Sequence, residues 1–174
     1  DAPGGHWNDA YPYVRLHQSS SFYGVPSRPL GRGRICDHGY NAGMPELATK
    51  YEILHYYQDL METVYLPSGR VQYFPMSEYL GNGRIRSTVS GQETRVNIAK
   101  KLVNAGIWGD LTTIPSTHKR SFDVARDVTC VPPNDLPRRA SDFEAFTILG
   151  AGKTAMDAVL WLLEKGVAPE QISW

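Results

Sequence analysis

Phe146-Thr147-Ile148-Leu149-Gly150-Ala151-Gly152-Lys153-Thr154-Ala155 is the stretch on which the reading of this chain turns. An apolar, β-branched segment runs into a glycine turn, and a helix is predicted to follow from Thr154 to Lys165. Strand, GxGxxA and helix in that order suit the pyrophosphate of a dinucleotide. Gly150 lets the chain turn sharply, Gly152 leaves room for a phosphate against bare backbone, and Ala155 keeps the helix close to its strand. The first N–H groups of the helix, around Lys153 and Thr154, lack partners within the helix and carry partial positive charge. Gly152-Lys153-Thr154 also has the form of a P-loop ending, but GxxxxGK[ST] needs a glycine where this chain has Thr147. The predicted cofactor-binding residues here are Gly150, Gly152, Lys153, Thr154 and Ala155.

Downstream, Gly166 and Pro169 make a turn, and Gln171-Ile172-Ser173-Trp174 reads as the opening of a second strand, inside which the βαβ unit is expected to be cut. The Asp, Glu or Arg that would choose between NAD and NADP follows such a strand, so the preference is left open. At the other end, Asp1-Ala2-Pro3-Gly4-Gly5 is a turn that ordinarily follows a strand. An internal fragment of a longer protein is the expectation, and alone it is expected to hold FAD poorly.

Between the ends, Thr49 and Glu52 form a capping box. Ile53, Tyr57, Leu60 and Val64 recur behind it, which predicts about four helical turns from Lys50 to the Pro67-Ser68-Gly69 stop. Val71 to Leu80, Arg84 to Val89 and Thr94 to Ile98, punctuated by Gly81-Asn82-Gly83 and Ser90-Gly91, predict an antiparallel meander. Further short strands are expected at Lys101 to Asn104 and near Val128 to Val131. Residues 1–45 read as a long, partly ordered loop with one helical turn near Ser19 to Tyr23, and residues 110–144 as a connector.

Composition narrows the function. With 41% apolar and 21% charged residues the chain builds a core and is not disordered. Eighteen basic residues balance eighteen acidic ones, which removes the positive field that non-specific nucleic-acid binding needs. No stretch is long and apolar enough to span a bilayer, and Cys36 and Cys130 lack CxxC spacing, so a cytoplasmic, soluble protein in a reducing compartment is expected. Cys36-Asp37-His38 lacks a second ligand cluster, so no metal is expected, and Arg28, Arg32 and Arg34 read as a solvated loop. Asp37, Asp59, Glu62 and Glu78 form no acid/base pair, and no GxSxG elbow is present. His55 reads as a packed or partly exposed helix residue, and Leu160, Trp161, Leu162 and Leu163 read as core. No catalytic residue is assigned.

Gly4-Gly5-His6-Trp7, Tyr11-Pro12-Tyr13-Val14-Arg15 and Ser19-Ser20-Ser21-Phe22-Tyr23 resemble the GGxW…YPxxR…SxxY segment of flavin-containing and Baeyer–Villiger monooxygenases. In that family the segment follows the FAD-binding Rossmann loop, and the second, NADPH-binding loop falls where Gly150 to Ala155 lies. The resemblance covers nearly the whole chain. It implies FAD and NADP (or NAD) as cofactors, with Gly4, Gly5, Trp7 and Arg15 along the flavin. The family signature FxGxxxHxxx[WP] aligns with Phe122 to Pro132, but Val124 and Val128 replace its glycine and histidine. His17 stands where Baeyer–Villiger enzymes carry aspartate. The implied reaction is hydride transfer from NAD(P)H to FAD and on to oxygen or another acceptor, with a small-molecule substrate.

The expected fold class is α/β: a fragment of a two-dinucleotide-binding-domain, Rossmann-like flavoprotein, with an antiparallel meander and a GxGxxA βα unit at its C-terminal end. Residues 1–144 are expected to be the later part of the FAD domain, and 145–174 the start of the NAD(P) domain. A single-cofactor NAD(P)-dependent dehydrogenase and a non-catalytic dinucleotide-binding module are the alternatives.

Overall fold

The computed structural model describes residues 2–105, 120 and 122–174. Helix α1 (Lys50–Leu60) starts where Thr49 and Glu52 cap one another. The Thr49 N–H and hydroxyl each donate to Glu52 Oε2 at 2.8 Å, and the Glu52 N–H returns a bond to Thr49 Oγ1 at 3.3 Å. This reciprocal cap satisfies donors that the helix itself leaves open. Thr49→Ala is expected to cost about 1 kcal/mol in denaturant unfolding, while Thr49→Ser leaves stability nearly unchanged.

The buried stripe of α1 differs from the expected one. Ile53, Tyr56 and Leu60 are buried, Tyr57 is half-buried, and Val64 is exposed. Past Leu60 the helix widens into a π-type turn over Met61–Tyr65, where the Leu66 N–H donates to the Met61 carbonyl at 3.0 Å. One added residue per turn rotates the following side chains, which carries Val64 off the stripe. His55 lies on the exposed side.

Residues 2–45 are more ordered than their composition suggests. The Leu16 N–H donates to Ala48 O at 2.9 Å, Lys50 N–H to Val14 O at 3.1 Å and Ser20 N–H to Glu46 O at 3.0 Å, so residues 14–20 run beside 46–50. Ser20 is buried, and its hydroxyl both accepts from the Ala48 N–H and donates to Glu46 O. A short hairpin joins β1 (Gly24–Val25) to β2 (Arg28–Pro29), and Ser20–Phe22 makes the expected helical turn.

Strands β3 (Ser77–Gly81), β4 (Arg84–Ser87) and β5 (Glu93–Arg95) form the antiparallel meander, shorter than expected at both ends. Asn82 and Gly83 turn β3 into β4 with φ of +52° and +74°, the mirror-image turn that matches strand twist. A Cβ at Gly83 would lie 2.2 Å from the Val96 carbonyl oxygen, so glycine is required there. Neither Lys101 to Asn104 nor Val128 to Val131 forms a strand: both are irregular, the first exposed and the second half-exposed. The connector's residues 110–119 lie outside the described residues.

A short helix α2 (Leu136–Arg139) ends the connector. Then β6 (Phe146–Thr147), α3 (Lys153–Glu164) and β7 (Ile172–Ser173) form the βαβ unit, with β6 and β7 parallel and Phe146 opposite Ile172. The Ile148 N–H extends the ladder by donating to Ser173 O at 2.8 Å. Phe146, Ile148, Trp161, Val167 and Ile172 pack around buried Leu136, Ala158 and Leu162. One face of the parallel pair is thus covered by α3. The opposite side shows Thr147, Ser173 and Leu149 to solvent, the last 67% exposed. Leu160 is 41% exposed, so α3 buries one stripe and is not surrounded.

Asp1–Asn8 and Leu54–Thr112 contribute the described residues of one compact unit, and Asp9–Ile53 with Thr113–Trp174 those of a second. The division falls within α1. Among the described residues, no helix is long and apolar enough to cross a membrane.

Candidate functional site

The glycine turn joins β6 to α3 in the second unit. At Gly150 φ is +123°, a conformation that a side chain rarely tolerates. Gly152 is a different case. As N-cap of α3 it has φ −87° and ψ 177°, open to any residue, and an added Cβ would meet nothing within 4 Å. Serine, aspartate or asparagine would cap the helix better. The fold therefore gives no strong reason for glycine at 152, whereas a phosphate pressed on the backbone gives one. Ala155, one turn on, is buried, and Thr154 is half-buried. The Trp174 indole N–H donates to the Gly150 carbonyl at 2.6 Å and props the turn from the strand side.

Lys153 points away from the turn. Its ammonium donates to Asp157 Oδ2 and to the main-chain carbonyl of Arg15. Asp157 also accepts from the Tyr11 hydroxyl at 2.7 Å, and its side chain is only 15% exposed. The Lys153 ammonium lies 5.9 Å from the Tyr11 ring centroid. Tyr11 is buried, and its ring stands 4.8 Å from that of Tyr13, which in turn stands 5.3 Å from Trp161. Burial first, and then the hydrogen bond and charge of Asp157, push the Tyr11 phenol above its ordinary range, and burial and Asp157 do the same to Tyr13. Both phenols thus keep their protons at neutral pH, as the Tyr11 donation to a carboxylate requires. Among the described residues the buried Tyr13 hydroxyl has no hydrogen-bond partner.

Of the predicted residues, Arg15, Gly150, Gly152, Lys153, Thr154 and Ala155 belong to the second unit, and Lys153 brings Arg15 to the first turn of α3. Gly4, Gly5 and Trp7 belong to the first unit. There φ is +104° at Gly4 and +52° at Gly5, and a Cβ on Gly4 would stand 2.6 Å from Leu54 Cδ2. Both glycines are accounted for by their backbone. Trp7 is half-buried in a single 3₁₀ turn (Gly5–Asn8), with its N–H on the Gly4 carbonyl at 3.1 Å. Val124 is half-buried and Val128 is 57% exposed.

Sequence reading missed Tyr11 and Asp157. The i,i+4 spacing of Lys153 and Asp157 on a predicted helix was a usable signal. Nothing local connects Tyr11 with residue 157.

No family model matches the chain. The chain is 46% identical over 172 residues to the "Uncharacterized protein Rv2000" of Mycobacterium tuberculosis and to the "Uncharacterized protein Mb2023" of Mycobacterium bovis. The match covers 99% of this chain and 31% of each relative, so the chain spans about a third of their length. No solved structure matches it.

Proposed function

We propose that this chain carries the nicotinamide-dinucleotide turn of a Rossmann-like, FAD- and NAD(P)H-dependent oxidoreductase of the cytoplasm. The observation that carries the reading is Gly152: a glycine at a helix N-terminus, between the parallel strands of a βαβ unit, where the fold itself would accept a side chain. The N–H groups of Lys153 and Thr154, which precede the first intrahelical bond from the Ala155 N–H to the Gly152 carbonyl at 3.0 Å, suit a pyrophosphate, and Gly150 supplies the bend that aims them. The FAD half of the reading is supported by the likeness of Gly4, Gly5, Trp7 and Arg15 to the monooxygenase segment. Bound together, the two cofactors supply hydride chemistry, and the protein's part is to orient them.

The full-length protein is accordingly expected to purify yellow, with a flavin absorbance that NADPH bleaches under anaerobic conditions. A colourless protein that takes up no FAD would overturn the flavin assignment. Because Val124 and Val128 replace the glycine and histidine of the family signature, most NADPH consumed in air is expected to reappear as hydrogen peroxide. The balance is NADPH, oxygen and a proton giving NADP⁺ and peroxide. Peroxide yield per NADPH, measured beside oxygenated ketone, sulfide or amine probes, checks this: close coupling to oxygenated product would show that the two valines leave oxygenation intact.

A further inference from the structure

We infer that Lys153 is a strut, and not a phosphate ligand: with Asp157 and Tyr11 it fixes the Tyr11–Arg15 segment on the first turn of α3. The inference rests on the proposed function for its consequence, and on geometry for the strut itself.

The Lys153 ammonium has three N–H bonds to give, and two are committed, one to Asp157 Oδ2 and one to Arg15 O. Reaching a phosphate over the glycine turn would mean abandoning both. That would strand Asp157, a carboxylate whose side chain is 15% exposed and whose other hydrogen-bond donor is the neutral Tyr11 hydroxyl. It would also leave a negative charge within a turn of the expected anion, where it repels. Keeping Lys153 on Asp157 neutralises that carboxylate and leaves the positive end of the helix to the ligand. The pair is therefore consistent with a ligand held by backbone N–H groups, such as the bridging diphosphate of a dinucleotide. A nucleoside triphosphate, which calls for a free lysine on its outer phosphates, is disfavoured.

The same contacts tie together distant parts of the chain. Arg15 is 138 residues from Lys153, and Tyr11 is 146 residues from Asp157. Asn134 adds a nearby brace by donating to the Asp9 carbonyl at 2.9 Å. Arg15 is the residue that the family likeness sets beside the flavin. Its main chain thus hangs from the helix that begins at the nicotinamide turn, which makes Lys153, Asp157 and Tyr11 positioning residues for the pair of cofactors.

The test is the double variant Lys153→Met/Asp157→Asn in the full-length protein, which removes both charges and leaves no carboxylate to repel the ligand. Three readouts separate the roles: the Kd for NADPH, the limiting rate of anaerobic flavin reduction, and hydrogen exchange of peptides covering residues 11–16. A strut predicts a Kd within about threefold of wild type, a limiting rate reduced about tenfold, and exchange at residues 11–16 faster by about tenfold or more. Tyr11→Phe should move the rate and the exchange in the same direction, by less. A Kd raised tenfold or more with exchange at residues 11–16 unchanged would make Lys153 a phosphate ligand and overturn the inference. So would all three readouts standing unchanged. The exchange measurement needs no cofactor: a wild-type protein that binds no nicotinamide dinucleotide would remove the proposed function, and exchange would still decide whether Lys153 holds the segment.

Discussion

Gly152→Val in the full-length protein should weaken NAD(P)H binding by at least about tenfold while FAD content stays at the wild-type level. The backbone at 152 already has dihedrals that valine accepts, and the space around its Cβ is open, so the folded chain has little to lose. Valine is a poorer N-cap than glycine, and a stability change of about 1 kcal/mol is the most that follows. Against a bound pyrophosphate the same side chain occupies the volume where the ligand meets the helix N-terminus. The measurement is the rate of anaerobic flavin reduction at increasing NADPH, with flavin content and thermal unfolding determined separately. Unchanged reduction kinetics would remove the turn from the nicotinamide site. Gly150 makes a poor substitute for this test, because at φ +123° a side chain strains the chain with or without ligand.

The second large effect concerns stability. Leu162 is fully buried, at 0% exposure, and shares a cluster with Leu136 and Ala158 that Phe146, Ile148 and Ile172 close from the strand side. Leu162→Ala removes three carbons from the joint between α3 and the parallel strands. It is expected to cost about 3 kcal/mol, most of it from the cavity left among side chains that cannot collapse into it. For a chain of this size that lowers the unfolding midpoint by on the order of 10 °C. Leu160→Ala, on the exposed side of the same helix, serves as the comparison and should cost less than about 1 kcal/mol. Equal losses at the two positions would mean that Leu160 is covered in solution and that the buried stripe of α3 has been misread.

What could be read from the sequence was what local spacing encodes. The helix beginning near Lys153, the glycine turn and the two flanking strands follow from short-range pattern, and so do the Thr49/Glu52 cap and the Asn82-Gly83 hairpin. Boundaries were less legible. The turn over Met61–Tyr65 shifts the helical phase, which the period-3.6 line through Val64 could not register. Helix α2 went unread although Asp135 and Pro137 flank its start, a cap-and-proline signal hidden in a proline-rich connector. The bonds between residues 14–20 and 46–50 involve buried Val14, Leu16 and Ala48, and the alternation of Val14 to His17 is too short to announce its partner segment. At the site Gly150 was legible because its role is conformational, and Gly152 because of its place in the GxGxxA spacing. The Lys153 contacts were half legible: Asp157 sits four residues away on one helix, but Tyr11 and the Arg15 carbonyl arrive only when the fold brings them.

The division of the chain into Asp9–Ile53 with Thr113–Trp174, around the Leu54–Thr112 segment, sets the order of synthesis against the order of assembly. Tyr11, Tyr13 and Arg15 leave the ribosome ahead of their partners Asp157, Trp161 and Lys153, which are translated about 140 residues later. Until then Tyr11 and Tyr13 have no Asp157 or Trp161 to meet, and the nascent segment carries exposed aromatic surface. Closing so long a loop costs only modestly more entropy than closing a short one, because the cost grows with the logarithm of length. The larger consequence is one of time: the second unit draws on Asp9–Ile53 and on Thr113–Trp174, and cannot finish folding during translation of its first half. A truncation before α3 would therefore unsettle the N-terminal segment as well as the shortened end.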